Sequence, residues 1–168
     1  VLEESQSYRQ KVIDSSTACI MTGILENVIQ SGTGQSVKSL GRPAAGKTGS
    51  TNSYNDAWFI GYTPSLVAGV WVGNDAQVSL GWGETGSRAA APIWLGFMQR
   101  SLSGKPVERF TMTDEVEMKV VDSKTGLLPG SGTESTTKVW FKKGTSPLEK
   151  SSAPEQSGDQ SQLFKDNL

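Results

Sequence analysis

The sequence predicts an α+β fold: an antiparallel sheet flanked by helices. Three observations predict it. Residues 16–31 and 87–102 each repeat apolar pairs at a spacing of four, the pattern of an amphipathic helix. Between them, "DAWFIGYT" (56–63) and "LVAGVWVG" (66–73) are rich in aromatic and branched residues, and Thr63-Pro64-Ser65 separates them as a turn. That is an antiparallel hairpin. A third short strand candidate, Ala44–Thr51, precedes it.

The elements follow in chain order. In 16–31 the pairs are Ile20/Met21, Ile24/Leu25 and Val28/Ile29, with Ser15 or Ser16 as the cap and Gly32 as the stop. Cys19 falls in this run and reads as a small packing residue. "SGTGQSVKSLGRP" (31–43) reads as a loop, and "GNDAQVSLGWGETG" (73–86) as a glycine-rich loop. In 87–102, Ile93/Phe97 and Trp94/Met98 are four apart, and Pro92 fits if it lies in or near the first turn. Trp58, Trp71 and Trp94 are expected in the core. A weaker β-like pattern occupies 115–129 and 137–147. From 149 the composition turns polar and reads as a disordered tail. We therefore divide the chain into 1–104, a small β-rich extension 105–148, and the tail 149–168.

Composition excludes several functions. Sixteen basic and seventeen acidic residues nearly cancel, so nothing points to nucleic acid or an anionic membrane. There is no histidine, which removes Ser-His-Asp and Cys-His catalysis and histidine-ligated metals within this chain. One cysteine allows no internal disulfide. We expect no cofactor and no metal. The chain opens at Val1 without methionine, and we expect it to be a piece of a longer protein.

The chemistry concentrates in "GRPAAGKTGST" (41–51), which fits two templates. Gly41–Thr48 matches the phosphate-binding loop G-x-x-x-x-G-K-[ST] at every fixed position. That motif works only when a buried strand feeds it and a helix follows, because the helix amides and dipole hold the phosphates. Here "GQSVKSL" precedes it and "GSTNSYND" follows, neither a buried strand nor a helix start. Lys47-Thr48-Gly49 also matches the K-T-G element of penicillin-recognising enzymes. On a strand at a cleft edge, each position has a role. Lys47 supplies a fixed cation near a substrate carboxylate. Thr48 adds a hydroxyl donor. Gly49 leaves room for an acyl-peptide along the strand. The backbone N–H of Ser50 points at a developing oxyanion. Thr51 and Asn52 line the cleft mouth. A non-catalytic interaction module that keeps this strand only as structure is the third reading.

The wider setting favours the second template. "GRPAAGKTGSTNSYNDAWFIGYTPSLVAGVWVGND" followed by "TGSRAAAPIW" closely resembles the C-terminal part of the transpeptidase domain of class A penicillin-binding proteins. The resemblance runs from about Ala18 to Gly104, and more loosely through "VVDSKTGLLP" and "KKGTSP" to Pro147. The family usually has threonine where Ser50 stands, and the hydroxyl is kept.

The resemblance implies the penicillin-binding and serine β-lactamase-like transpeptidase fold. It implies a serine activated by a lysine three residues on, then S-x-N, then K-T-G. It implies a stem peptide ending in D-alanyl-D-alanine as substrate, and β-lactams as acylating inhibitors. It further implies a place on the extracytoplasmic face of the bacterial cytoplasmic membrane, anchored by an upstream segment. The first two catalytic elements are expected N-terminal to residue 1. Ser135-Thr136-Thr137-Lys138 and Ser53-Tyr54-Asn55 spell S-x-x-K and S-x-N but read as chance matches, and Lys124-Thr125-Gly126 reads as a plain turn. Arg42 is read as either an anion contact or a solvated loop residue. Asp56 is expected to organise a turn, and Glu84 to pair with Arg88.

Overall fold

The structure, a computed structural model, describes residues 10–152. The chain divides between Val116 and Glu117 into two compact units.

The first unit opens with helix α1, Ser15–Ser31. Its cap is Asp14, one residue ahead of the expected serines. Asp14 Oδ1 accepts from the Thr17 backbone N–H at 2.7 Å and from Ser16 Oγ at 2.6 Å. A carboxylate at this position also opposes the positive end of the helix dipole. Gly32 ends the helix as expected, donating its N–H to Val28 O at 3.0 Å. The segment expected as loop differs: it holds a six-residue 3-10 helix, Gln35–Leu40, that fully buries Val37. Val37 and Leu40 stand three apart, which is the 3-10 period.

Strands β1 (Ala45–Ser50), β2 (Asp56–Tyr62) and β3 (Val67–Gly73) form one antiparallel sheet in that order. Ala45 pairs with Tyr62, Ser50 with Ala57, and Trp58 with Trp71. Alternate side chains point to opposite faces of the sheet. On one face Phe59 meets Trp94 of helix α2 (Ala91–Ser101) edge-on at 5.0 Å between ring centroids. Trp94 is fully buried, and its indole N–H donates to Ala68 O at 3.0 Å and Gly61 O at 3.3 Å. Gly61 makes room for it, since a Cβ there would lie 2.8 Å from the indole ring. Ile29, Val37, Ala44, Ala90, Ala91, Met98 and Leu102 complete this core. A five-residue π turn, Gly86–Ala90, leads into α2, and Pro92 falls in the first turn of the α-helical part.

The opposite face corrects the expectation for two tryptophans. Trp58 and Trp71 are 43% and 45% exposed, beside Ile60 at 52% and Val67 at 68%. Only Trp94 of the three is core. The two exposed rings lie 6.2 Å apart, and the Trp71 indole N–H donates to Asp56 Oδ1 at 2.9 Å.

Arg42 is not a free loop side chain. Its guanidinium donates to the carbonyls of Leu102 (3.2 Å), Lys105 (3.4 Å) and Pro106 (3.4 Å), closing the C-terminus of α2. Phe110 packs edge-on against Tyr62 at 5.6 Å, and Cys19 Sγ reaches Thr111 O at 3.6 Å. These contacts hold residues 105–116 on the first unit, so the division falls after Val116 and not after residue 104.

The second unit is built on β4 (Val116–Asp122) and β5 (Thr136–Lys142), which form a two-stranded sheet. Lys124-Thr125-Gly126 is a turn, with Gly126 at φ 73°. Asp122 organises it, accepting from the backbone N–H groups of Lys124 at 2.8 Å and Thr125 at 2.9 Å. The Thr125 N–H first, with the Lys124 N–H and the Thr133 and Thr125 hydroxyls, holds this carboxyl at a pKa of about 2. The expected tail begins inside an ordered stretch. Leu128 N donates to Glu149 O at 2.9 Å, and Ser151 N donates to Leu128 O at 2.8 Å. Residues 153–168 lie outside the described residues.

Candidate active site

Strand β1 is an edge strand among the described residues. Its hydrogen-bond parity follows from one contact. Thr51 N donates to Asp56 O at 3.1 Å, in the same register that pairs Ala45 with Tyr62. Residues opposite one another in an antiparallel ladder alternate between exchanging hydrogen bonds and facing away. Ala45, Lys47 and Gly49 therefore bond to β2. Gly46, Thr48 and Ser50 turn their N–H and C=O groups to the open edge.

The side chains then gather at that edge. Lys47 is exposed, and its ammonium curls to the Thr48 carbonyl at 2.8 Å and to Thr48 Oγ1 at 3.3 Å. Thr48 Oγ1 lies 2.7 Å from Thr33 Oγ1, in the turn after α1. Ser50 Oγ accepts the Gly86 N–H at 2.9 Å. One cation, two hydroxyls and one outward N–H thus share a short strip of strand. Such a combination has the chemistry to accept an anionic, extended ligand and to stabilise negative charge on an oxygen beside it.

The other expected residues behave differently. The missing Cβ of Gly49 points to Trp58 Cβ, 3.2 Å away, on the aromatic face rather than into the edge. Its N–H and C=O belong to the β2 ladder. Thr51 is committed to the turn: its Oγ1 accepts the Asp56 N–H at 2.9 Å and lies 3.4 Å from Asp56 Oδ2. Asn52 is exposed and opens a three-residue 3-10 turn, Asn52–Tyr54, in which Ser53 has φ 72°. Glu84 and Arg88 approach to 3.7 Å at the surface.

Thr33 and Gly86 were not found from sequence. Both reach β1 from distant segments. Gly86 is the tighter: a Cβ there would lie 2.2 Å from Trp58 O and 2.6 Å from Gly49 O. The "TGS" that begins the second helical segment was its only local sign.

The phosphate-loop template finds no geometry here. Lys47 and Thr48 lie inside a strand, and a short turn stands where a phosphate-holding helix would begin. The internal S-x-x-K also lacks the helix it needs. Thr136–Lys138 lies in β5, directly after Ser135. Three residues apart on a strand, a serine and a lysine face opposite sides.

The profile of the "Penicillin binding protein transpeptidase domain" family matches residues 3–99, more than half of the chain. The chain belongs to the penicillin-binding protein transpeptidase family. Penicillin-binding protein 1A of Rickettsia conorii is 38% identical over 133 residues, 79% of this chain and 17% of that protein. Penicillin-binding protein 1A of Pseudomonas aeruginosa is 38% identical over 139 residues, 82% of this chain and 17% of that protein. The crystal structure of penicillin-binding protein 1A from Haemophilus influenzae superposes with a TM-score of 0.76 at 31% identity. It covers 88% of this chain and 23% of that one. This transpeptidase-family chain therefore spans less than a fifth of the length of these two curated relatives, and its α+β fold is that of the penicillin-binding proteins. Among the described residues no helix is long and apolar enough to cross a membrane.

Proposed function

We propose that this chain forms one wall of the active site of a peptidoglycan D,D-transpeptidase. In this reading it works within a longer protein, whose upstream part supplies the S-x-x-K serine and the S-x-N element. The observation that carries the proposal is the shared edge of β1, where Lys47, Thr48 and the Ser50 N–H converge.

The chemistry fits a chain without histidine. The upstream serine oxygen attacks the carbonyl between two D-alanines. The C–O bond forms, the C–N bond breaks, and the departing D-alanine amine takes a proton. An amine of a neighbouring stem peptide then attacks the acyl-serine, restoring the hydroxyl and leaving a cross-link. β-Lactams acylate the same serine. Lys47 holds the substrate carboxylate and lowers the energy of charge near the nucleophile. The hydroxyls of Thr48 and Ser50 donate to the carboxylate. The Ser50 N–H is one oxyanion donor. Gly49, whose absent side chain faces Trp58, lets β1 lie close against β2 beside the bound peptide, and Thr51 with Asn52 forms the mouth of the cleft. The protein sits at the extracytoplasmic face of the bacterial cytoplasmic membrane, held by an anchor upstream of this chain.

Labelling with a fluorescent penicillin tests this. The full-length protein is expected to form a covalent adduct, and Lys47→Ala to slow its formation by about a hundredfold or more, the scale on which loss of one charge-stabilising group acts. Unchanged acylation in Lys47→Ala establishes the non-catalytic reading instead. Labelling of the isolated chain at Ser135 overturns the assignment of the nucleophile to the upstream part.

A further inference from the structure

Among the described residues, Thr48 Oγ1 has two hydrogen-bond neighbours. The Lys47 ammonium, 3.3 Å away, can only donate to it. The Thr33 hydroxyl, 2.7 Å away, can either donate or accept. A hydroxyl oxygen has two lone pairs and one proton. If Thr33 donates, both lone pairs of Thr48 are filled and its single proton has only one way to point: outward, to a ligand. Ser50, two residues along on the same face, is constrained by one donor only. Its oxygen accepts from the Gly86 N–H, a pure donor, which leaves the Ser50 proton free to donate.

We propose that Thr33 is a positioning residue that sets Thr48 as a hydrogen-bond donor to an anionic substrate carboxylate. This rests on the reading of the β1 edge as a peptide-binding edge. When a carboxylate arrives, the chain of donors runs from the Thr33 O–H to Thr48 Oγ1, and from the Thr48 O–H to the carboxylate. Only hydroxyl protons rotate, and no bond is broken. Each hydrogen bond in such a row polarises the next. Thr33 itself is exposed, in the turn between α1 and the 3-10 helix, so its side chain is not needed to fill the core.

The test uses the full-length protein, with Thr33→Val and Thr33→Ser. The probes are a penicillin with a free carboxylate and its methyl ester. Rapid kinetics separates the initial dissociation constant from the acylation rate constant. Thr33→Val is expected to weaken initial binding of the acid by about three- to tenfold, the range for one lost hydrogen bond, with the acylation constant held. Thr33→Ser restores binding. The ester, whose neutral carbonyl is a weaker acceptor than a carboxylate, is expected to lose clearly less binding than the acid. In a Thr48→Val background, Thr33→Val is expected to add nothing.

Three results overturn the proposal: unchanged acid binding in Thr33→Val, an equal loss for acid and ester, or additive losses in the double variant. If Lys47→Ala slows acylation while Thr33→Val is silent, the assignment of Thr33 alone fails. If Lys47→Ala is also silent, the peptide-edge reading fails with it.

Discussion

The side-chain oxygen of Ser50 lies 2.9 Å from the backbone nitrogen of Gly86, a residue 36 positions further along the chain. This bond joins the end of β1 to the start of the helical segment that carries the core tryptophan. It also brings Gly86 against the peptide that links Gly49 to Ser50.

A methyl group at position 86 tests how tightly that junction is set. Gly86→Ala would place a carbon 2.2 Å from Trp58 O and 2.6 Å from Gly49 O, both rigid backbone atoms. Overpacking of this kind costs about 1–3 kcal/mol and moves backbone. The urea midpoint of the protein is expected to fall. Penicillin acylation of the full-length protein is expected to drop by more than stability explains, because misplacement by about 1 Å can cost a hundredfold in rate. A variant acylated at the normal rate would show that β1 does not depend on Gly86 for its position.

Trp94 anchors the covered face of the sheet. Trp94→Ala is expected to destabilise by about 3–5 kcal/mol, as for other buried aromatics. Trp94→Phe fills much of the space but leaves the Gly61 and Ala68 carbonyls without the indole donor, at roughly 1–3 kcal/mol. Thermal melts of the three proteins should rank in that order. Equal melting of Trp94→Phe and the parent would mean the indole N–H contributes nothing.

Arg42 gives a smaller effect by another route. Arg42→Ala leaves three carbonyls at the end of α2 without their charged donor. The guanidinium is half-exposed, so the loss is expected to be about 1 kcal/mol. Hydrogen exchange at residues 102–106 should report it, with faster exchange there and little change in β2.

The second unit carries a pH signature. The Asp122 carboxyl has a pKa of about 2 in the folded state, below its ordinary value of 3.8. A depressed carboxyl pKa stabilises the fold above the unfolded pKa, and that stability is lost as pH falls through the folded one. The loss is therefore expected between about pH 4 and pH 2. Asp122→Asn should remove this dependence while lowering stability at neutral pH. A circular dichroism titration of both proteins checks it, and identical acid transitions would refute it.

How much of this was legible in the sequence depends on the reach of each interaction. The helix of apolar pairs, the aromatic hairpin and the K-T-G strand all rest on neighbours within a few residues: spacing marks the first, composition around a turn the second, and a short motif the third. The Asp14 cap was missed by one position because serine and aspartate both suit that role. Trp58 and Trp71 were misplaced because an aromatic strand reads the same from either face. Register held the answer: Lys47 pairs with Ile60, two residues from Trp58, so a charged residue shares their face. Arg42, Thr33 and Gly86 could not be read locally. Their partners lie between 15 and 64 residues away, and only the folded chain brings them together.

The alternation along β1 also dictates which length changes this gene can tolerate. Removing or adding one codon between Ala45 and Ser50 would exchange every inward and outward backbone group downstream of the change. It would bury the amide that now faces the open edge and turn the lysine to the other side of the sheet. A two-codon change restores the parity but shifts Ser50 away from Gly86. The glycine-rich loop at 74–85 is under no such rule, since its residues pair with no strand. Length variants of this protein are therefore expected to cluster in that loop and to spare the six positions of the strand.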